Sequence, residues 1–243
     1  MKNTGFIFKT FRLINENTAI KVNTDGVLLG AWADFTHSKR VLDIGTGGGV
    51  IAFIARHKNP NCTITGIDID HTSIHEAQIN LGINKSSDIK FYHTSIQNYS
   101  LNTSFKFDTI ISNPPFFKEK QETLLERNLR KRTAKHQTHL SASDLLKHSS
   151  KLLDTNGQFY CVYPYTLKSE ILTLFKKYSL GIKRIMNIRG KTSGPLTRVM
   201  IHGINQKVNV TDESEIAIRA VEDNEVSFTK EYMKLTKDFY LNF

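Results

Sequence analysis

The most specific chemistry in the chain sits in four consecutive residues, Asn113-Pro114-Pro115-Phe116, at the end of the apolar run Thr109-Ile110-Ile111-Ser112. Two successive prolines donate no ladder hydrogen bonds and hold φ at about −65°. A strand must therefore stop at Asn113, with its side chain and the carbonyls that follow held in fixed directions. Such a turn suits a planar, conjugated NH2 group, which is a poor nucleophile because its lone pair is delocalised. Accepting hydrogen bonds from both its hydrogens, at the Asn113 oxygen and the Pro114 carbonyl, favours a pyramidal nitrogen whose lone pair can attack an electrophilic methyl group. Positioning and preorganised electrostatics then lower the barrier without a strong base. Phe116 offers a face on which a planar base can stack, a contact worth ~1–3 kcal/mol. In a random loop the same residues would mark only a turn.

A second signal lies upstream, Asp43-Ile44-Gly45-Thr46-Gly47-Gly48-Gly49. Glycines let the backbone approach a ligand closely, and a following helix N-terminus adds free N–H groups. The dinucleotide fingerprint needs glycine at the sixth position of the run, where this chain has Val50. An acid two residues before the first glycine suits the ammonium of S-adenosylmethionine instead. A second acid, Asp68, closes the next strand about 20 residues on, where a carboxylate accepts from ribose hydroxyls. The expected cofactor contacts are Asp43, Gly45, Thr46, Gly47, Gly49 and Asp68. Ser95, at the end of the strand-like run 89–95, adds a hydroxyl on the donor side. Thr24 or Asp25 can cap a short helix over 27–32, and the same residues can line the mouth of a ligand pocket; both readings stay open.

The elements that position these residues alternate strand and helix. Asp70 caps a helix ending near Gly82, a capping box at 141–144 opens another through 153, and 158–163 and 167–178 read as strand and helix. The stretches 182–188 and 199–204 read as a closing antiparallel pair, 207–226 is polar and acidic, and 232–243 is an amphipathic piece docking its aromatics. The pattern predicts an α/β fold: a doubly wound, mostly parallel, seven-stranded Rossmann-like sheet with a C-terminal antiparallel hairpin, its ligand at the carboxyl ends of the strands. Residues 1–37 form an extension packing over the donor site, and 38–243 the main domain.

Lysine and arginine number 33 against 23 acids, a net charge of +10. Such an excess favours a polyanionic partner, because cations placed against phosphates release counterions. The excess is local: Arg127, Arg130, Lys131, Arg132 and Lys135 crowd the segment after the acceptor turn, with no acid between 127 and 139. That segment reads either as a phosphate grip or as a solvated face. A second basic stretch, Arg189, Lys191 and Arg198, reads as a phosphate contact or as a plain hairpin. Cys62 and Cys161 have no metal-ligand spacing, and His136 and His139 of the basic segment have no metal-binding companions, so no metal is expected. No apolar run approaches the ~20 residues a membrane helix needs. A cytoplasmic monomer is expected.

The three motifs, in this order and spacing, resemble the Rossmann-like, S-adenosylmethionine-dependent amino methyltransferases over roughly residues 38–205. The stretch from Lys21 through Asn23-Thr24-Asp25-Gly26 to Trp32 and the closing Phe239-Tyr240-Leu241-Asn242-Phe243 are similar to the bacterial tRNA1(Val) (adenine(37)-N6)-methyltransferase family, extending the likeness to nearly the whole chain. The resemblance implies methylation of the exocyclic amine of adenosine 37, beside the anticodon of a valine tRNA. Thr94-Ser95 departs from the family, which tends to carry an aspartate there against the donor adenine. The same turn also serves enzymes that methylate guanine N2 in ribosomal RNA or the glutamine amide of release factors. The basic insert favours nucleic acid over protein without separating adenine from guanine. A catalytically silent RNA-binding module is the remaining alternative, against which the intact glycine loop and Asn113 argue.

Overall fold

Successive apolar side chains along the central strands alternate between the two faces of the sheet, so both faces are buried there. In the computed structural model, which describes residues 5–16, 18, 21–115, 140–208, 212–222 and 225–241, this alternation builds two separate cores. Strand β7 (Leu153–Pro164) shows it well: Phe159, Cys161 and Tyr163 enter one core, Tyr160 and Val162 the other. The first core lies under α1 (Thr24–Trp32), α2 (Val50–Lys58), α3 (His71–Asn84) and α7 (Lys230–Thr236). The second lies under α4 (Ile96–Leu101), α5 (Ala142–Leu152) and α6 (Lys168–Lys177).

The remaining strands of the sheet are β3 (Arg40–Ile44), β4 (Thr63–Asp68), β5 (Ile89–His93), β6 (Phe107–Ser112), β8 (Gly181–Lys191), β9 (Leu196–Ile204), β10 (Asp212–Glu222) and β11 (Glu225–Phe228). Their order is β11-β10-β8-β9-β7-β6-β3-β4-β5. Strands β5, β4, β3, β6 and β7 run parallel, and β9 is antiparallel to both β7 and β8. The seven strands from β8 to β5 are those expected from the sequence, with the hairpin β8–β9 closing them. The sheet carries two more: β10 pairs parallel with β8 and β11 folds back on β10. The acidic stretch expected only as polar chain is thus largely strand, at the outer end of the sheet. Its charges explain why: Glu213 bonds Lys168 (2.7 Å) and Asn187 (2.6 Å), and Glu215 bonds Arg189 (2.5 Å).

Chain order reverses at β3, with β4 on one side and β6 on the other. Open α/β sheets hold their ligands at such a switch point. A separate two-stranded ribbon, β1 (Phe6–Ile7) and β2 (Arg12–Leu13), precedes α1. Helix α1 is held at its far end by Lys58, whose ammonium donates to the carbonyls of Ala31 (2.6 Å) and Ala33. Among the described residues, no helix is long and apolar enough to cross a membrane.

Candidate active site

Strand β3 delivers the glycine loop. Gly45, Gly47 and Gly49 have φ of 72°, 55° and 92°, the left-handed region that side chains disfavour. A Cβ on Gly45 would meet nothing within 4 Å, so its backbone is bare toward open space. The N–H groups of Gly45 and Thr46 both donate to the Ile67 carbonyl (2.8 and 3.1 Å), tying the loop to β4. At the end of β4, Asp68 accepts from the N–H groups of Gly47 and Asp70, each at 2.9 Å. Burial raises the Asp68 carboxyl above its ordinary range despite those bonds. Asp43 is fully buried and accepts from the Thr46 hydroxyl at 2.6 Å. Burial pushes its carboxyl up to about 7, opposed by the Thr46 bond and reinforced by the charge of Asp68.

The acceptor turn leaves the neighbouring strand. Ile44 of β3 pairs with Ser112 of β6, and the Ser112 hydroxyl donates to the Ile44 carbonyl at 2.8 Å. The next residues, Gly45 and Asn113, therefore leave the sheet side by side. Pro114 is buried and Pro115 exposed. The half-buried Asn113 donates its Nδ2 to the Asn23 Oδ1 at 3.4 Å. Asn23 is the N-cap of α1, accepting the Gly26 N–H at 2.9 Å. The expected caps, Thr24 and Asp25, are instead the first two residues of the helix.

Gly45, Thr46, Gly47 and Asn113 line one cleft. Its other wall comes from the N-terminal segment, including Ile14, Asn15, Val22 and Asn23. Helix α3 holds that segment by side chains spaced four residues apart. Glu76 accepts from Glu16 N–H (2.9 Å), Asn80 from Ile14 N–H (2.7 Å) and Asn84 from Arg12 N–H (3.1 Å). Four helical residues rise about 6 Å, close to the rise of two extended residues, so the helix face works as a surrogate strand.

The other expected site residues are spread more widely. Ser95 caps α4, accepting the Asn98 N–H at 3.1 Å. Asp25 pairs with Arg198 at 2.7 Å, linking α1 to β9. Arg189 bonds Glu215 and the Gly194 carbonyl (2.6 Å), while Lys191 is exposed at the end of β8. Phe116, Arg127, Arg130, Lys131, Arg132 and Lys135 lie outside the described residues. Sequence reading passed over Ile14, Asn15, Val22 and Asn23 as cleft walls. The repeated Glu76, Asn80, Asn84 spacing was the available signal that an extended segment docks on α3. Among the described residues, no group of three or more His, Cys, Asp or Glu side chains could hold a metal ion.

Solved structures share this architecture. A ribosomal protein L11 methylase from Lactobacillus delbrueckii subsp. bulgaricus matches with a TM-score of 0.53 at 22% identity, over 75% of this chain and 77% of its own. A T. thermophilus 16S rRNA N2 G1207 methyltransferase, in complex with AdoMet and guanosine, matches with a TM-score of 0.58 at 17% identity, over 83% of this chain and 50% of its own. At such identities the likeness is one of fold. The methyltransferase small domain family matches residues 25–184. Fold and cleft together define a Rossmann-like, S-adenosylmethionine-dependent methyltransferase. Proteins named tRNA1(Val) (adenine(37)-N6)-methyltransferase match almost end to end: that of Pseudoalteromonas translucida is 31% identical over 98% of this chain and 99% of its own, and that of Mannheimia succiniciproducens 32% identical over 100% and 96%. The chain belongs to this family.

Proposed function

We propose that this enzyme methylates N6 of adenosine 37 in tRNA(Val), using S-adenosylmethionine. The observation that carries the reading is the adjacency of Gly45 and Asn113, which brings the glycine loop and the acceptor turn into one cleft. Asp43, Gly45, Thr46, Gly47, Gly49 and Asp68 hold the donor, with residues 1–37 packed over it and 38–243 forming the methyltransferase domain. The bare backbone at Gly45 and the Asp68 carboxylate at the loop's edge fit such a ligand. When bound, S-adenosylmethionine supplies an electrophilic methyl group on a positively charged sulfur. Asn113 Oδ1 and the Pro114 carbonyl accept the two amine hydrogens, and Phe116 stacks on the adenine turned out of the anticodon loop. Pro115 keeps the turn rigid. Arg127, Arg130, Lys131, Arg132 and Lys135 hold RNA phosphates, with Lys191 and outer faces of Arg189 and Arg198 adding to the grip. The enzyme acts as a monomer in the cytoplasm, where its tRNA is.

The test incubates the protein with labelled donor and total tRNA from a strain lacking the gene, then identifies the modified nucleoside by mass spectrometry. N6-methyladenosine at position 37 of tRNA(Val) is expected, and label in guanosine or in no nucleoside would overturn the reading. Asn113→Ala should abolish transfer while donor affinity stays within about threefold, because the amide acts on the acceptor.

A further inference from the structure

We propose that Asn23 is a positioning residue for methyl transfer: its capping amide turns the Asn113 side chain so that Oδ1 faces the target amine. The inference rests on the function proposed above and adds a residue to it. Asn23 is fixed at both ends of its amide. Its Oδ1 accepts the Gly26 N–H at 2.9 Å, and its Nδ2 donates to the Lys21 carbonyl at 3.2 Å. Rotating that amide by half a turn would set an NH2 against an N–H and an oxygen against a carbonyl, losing both bonds. The direction of Oδ1 is thus settled by the helix start, independently of Asn113.

That oxygen then decides the second amide. Asn113 Nδ2 lies 3.4 Å from Asn23 Oδ1. The reverse orientation would place two carbonyl oxygens against each other. With Nδ2 turned to Asn23, Asn113 Oδ1 points away from the cap. An amine whose two hydrogens must both be accepted needs an oxygen at that position, because an NH2 would present donor to donor. The orientation is present before any substrate arrives, which is what preorganised catalysis requires.

Gly26 belongs to the same device. A Cβ there would stand 3.3 Å from Asn113 Nδ2 and 3.6 Å from Asn23 Oδ1. The first distance is tighter than side chains normally tolerate, so the Asn113 amide would have to shift by a few tenths of an ångström. Gly26 lies within α1, where alanine is otherwise the better helix former. Stability and catalysis should therefore move in opposite directions on Gly26→Ala.

The experiment compares wild type, Asn23→Ser and Gly26→Ala by three readouts: kcat on tRNA(Val), donor affinity by calorimetry, and Tm. Serine caps a helix about as well as asparagine but is one atom too short to serve Asn113. For Asn23→Ser the expected result is Tm within about 2 °C of wild type and donor affinity within about threefold, with kcat down about tenfold. Gly26→Ala should raise or hold Tm while lowering kcat. A kcat within about twofold of wild type in both variants would overturn the proposal, as would donor affinity falling by the same factor as kcat. Solvent exchange of the 15N-labelled Asn113 side-chain amide tests the orientation without substrate. It should be slow in wild type and fast in Asn23→Ser, and equal exchange in both would refute the contact. If wild type leaves tRNA(Val) unmodified, the substrate assignment fails while the amide exchange still decides the geometry.

Discussion

The Asn80 amide grips Ile14 by both of its backbone groups, accepting the N–H at 2.7 Å and donating to the carbonyl at 3.2 Å. The same Nδ2 also donates to the Gly48 carbonyl at 3.0 Å. One side chain from α3 thus joins the N-terminal wall of the cleft to the glycine loop opposite it. Glu76 and Asn84 hold the same segment on either side, at Glu16 and Arg12.

Replacing Asn80 by leucine should therefore loosen the wall. Three backbone groups lose their partner, at about 1 kcal/mol for each typical bond and more where a buried group is left unsatisfied. Donor affinity should fall about tenfold or more by calorimetry, and urea unfolding should register a loss of about 2–4 kcal/mol. Asn84→Ala removes the bonds to Arg12 at the more exposed end of the ladder and should cost clearly less. Equal effects from the two substitutions would mean that the link to Gly48 is unimportant.

Asp43 gives the stability a pH dependence. Its carboxyl ionises near 3.8 when unfolded and at about 7 when buried. Between those values the folded state binds more protons than the unfolded one, so stability declines as pH rises through that window. Asp43→Asn keeps an oxygen for the Thr46 hydroxyl and removes the titration. The variant should gain on wild type between pH 4 and 7, by on the order of 1–4 kcal/mol at neutral pH, while donor affinity falls. Parallel stability curves over that range would show that the carboxylate is already compensated in the fold.

The glycine loop, the strand ends at Asp43 and Asp68, and the halt at Asn113 were legible because each is a local signal that short-range sterics enforce. Gly45, Gly47 and Gly49 must be glycine for their φ values, and the two prolines must end a strand. Strand β10, next to the sheet's edge, was illegible for a different reason. Among its described side chains Ile216 alone is buried, and its pairing is secured by Glu213 and Glu215 reaching across to Lys168 and Arg189. Such acids read as solvated chain until the partners' positions are known. Asn23 escaped notice in the same way. It stands next to two other capping types, Thr24 and Asp25, and its contact to Asn113 spans 90 positions in the chain.

A second titration lies outside the cleft lining. His202 is buried, stacks on Tyr160 with centroids 4.3 Å apart, and accepts from Arg184 Nε through Nδ1 at 3.3 Å. Burial, with the charges of Arg184 and Lys183 adding to it, pushes its pKa from 6.5 down to about 3. The unfolded state then binds the extra proton, so stability is complete above pH 6.5 and is lost as pH falls toward 3. His202→Phe keeps the stacking surface and removes the titration, at the cost of the Arg184 bond. Its unfolding free energy should fall less steeply than that of wild type between pH 6.5 and 4. An unaltered slope would assign the acid sensitivity of this region to its carboxylates.

The RNA grip proposed for Arg130, Lys131 and Arg132 is tested by salt. Each cation on a phosphate releases condensed counterions, so log Kd rises linearly with log salt concentration, with a slope of about 0.7–0.9 per contact. Changing all three to glutamine should weaken tRNA binding and lower that slope by about 2–3, with donor affinity unchanged if these cations serve the RNA alone. The existing ion pairs sharpen the comparison. Arg198 pairs with Asp25 and Arg189 with Glu215, so their net charge toward a phosphate is already partly neutralised. Arg189→Gln and Arg198→Gln should each lower the slope by less than one. A larger change from the two paired arginines than from the triple substitution would place the tRNA along the β8–β9 hairpin.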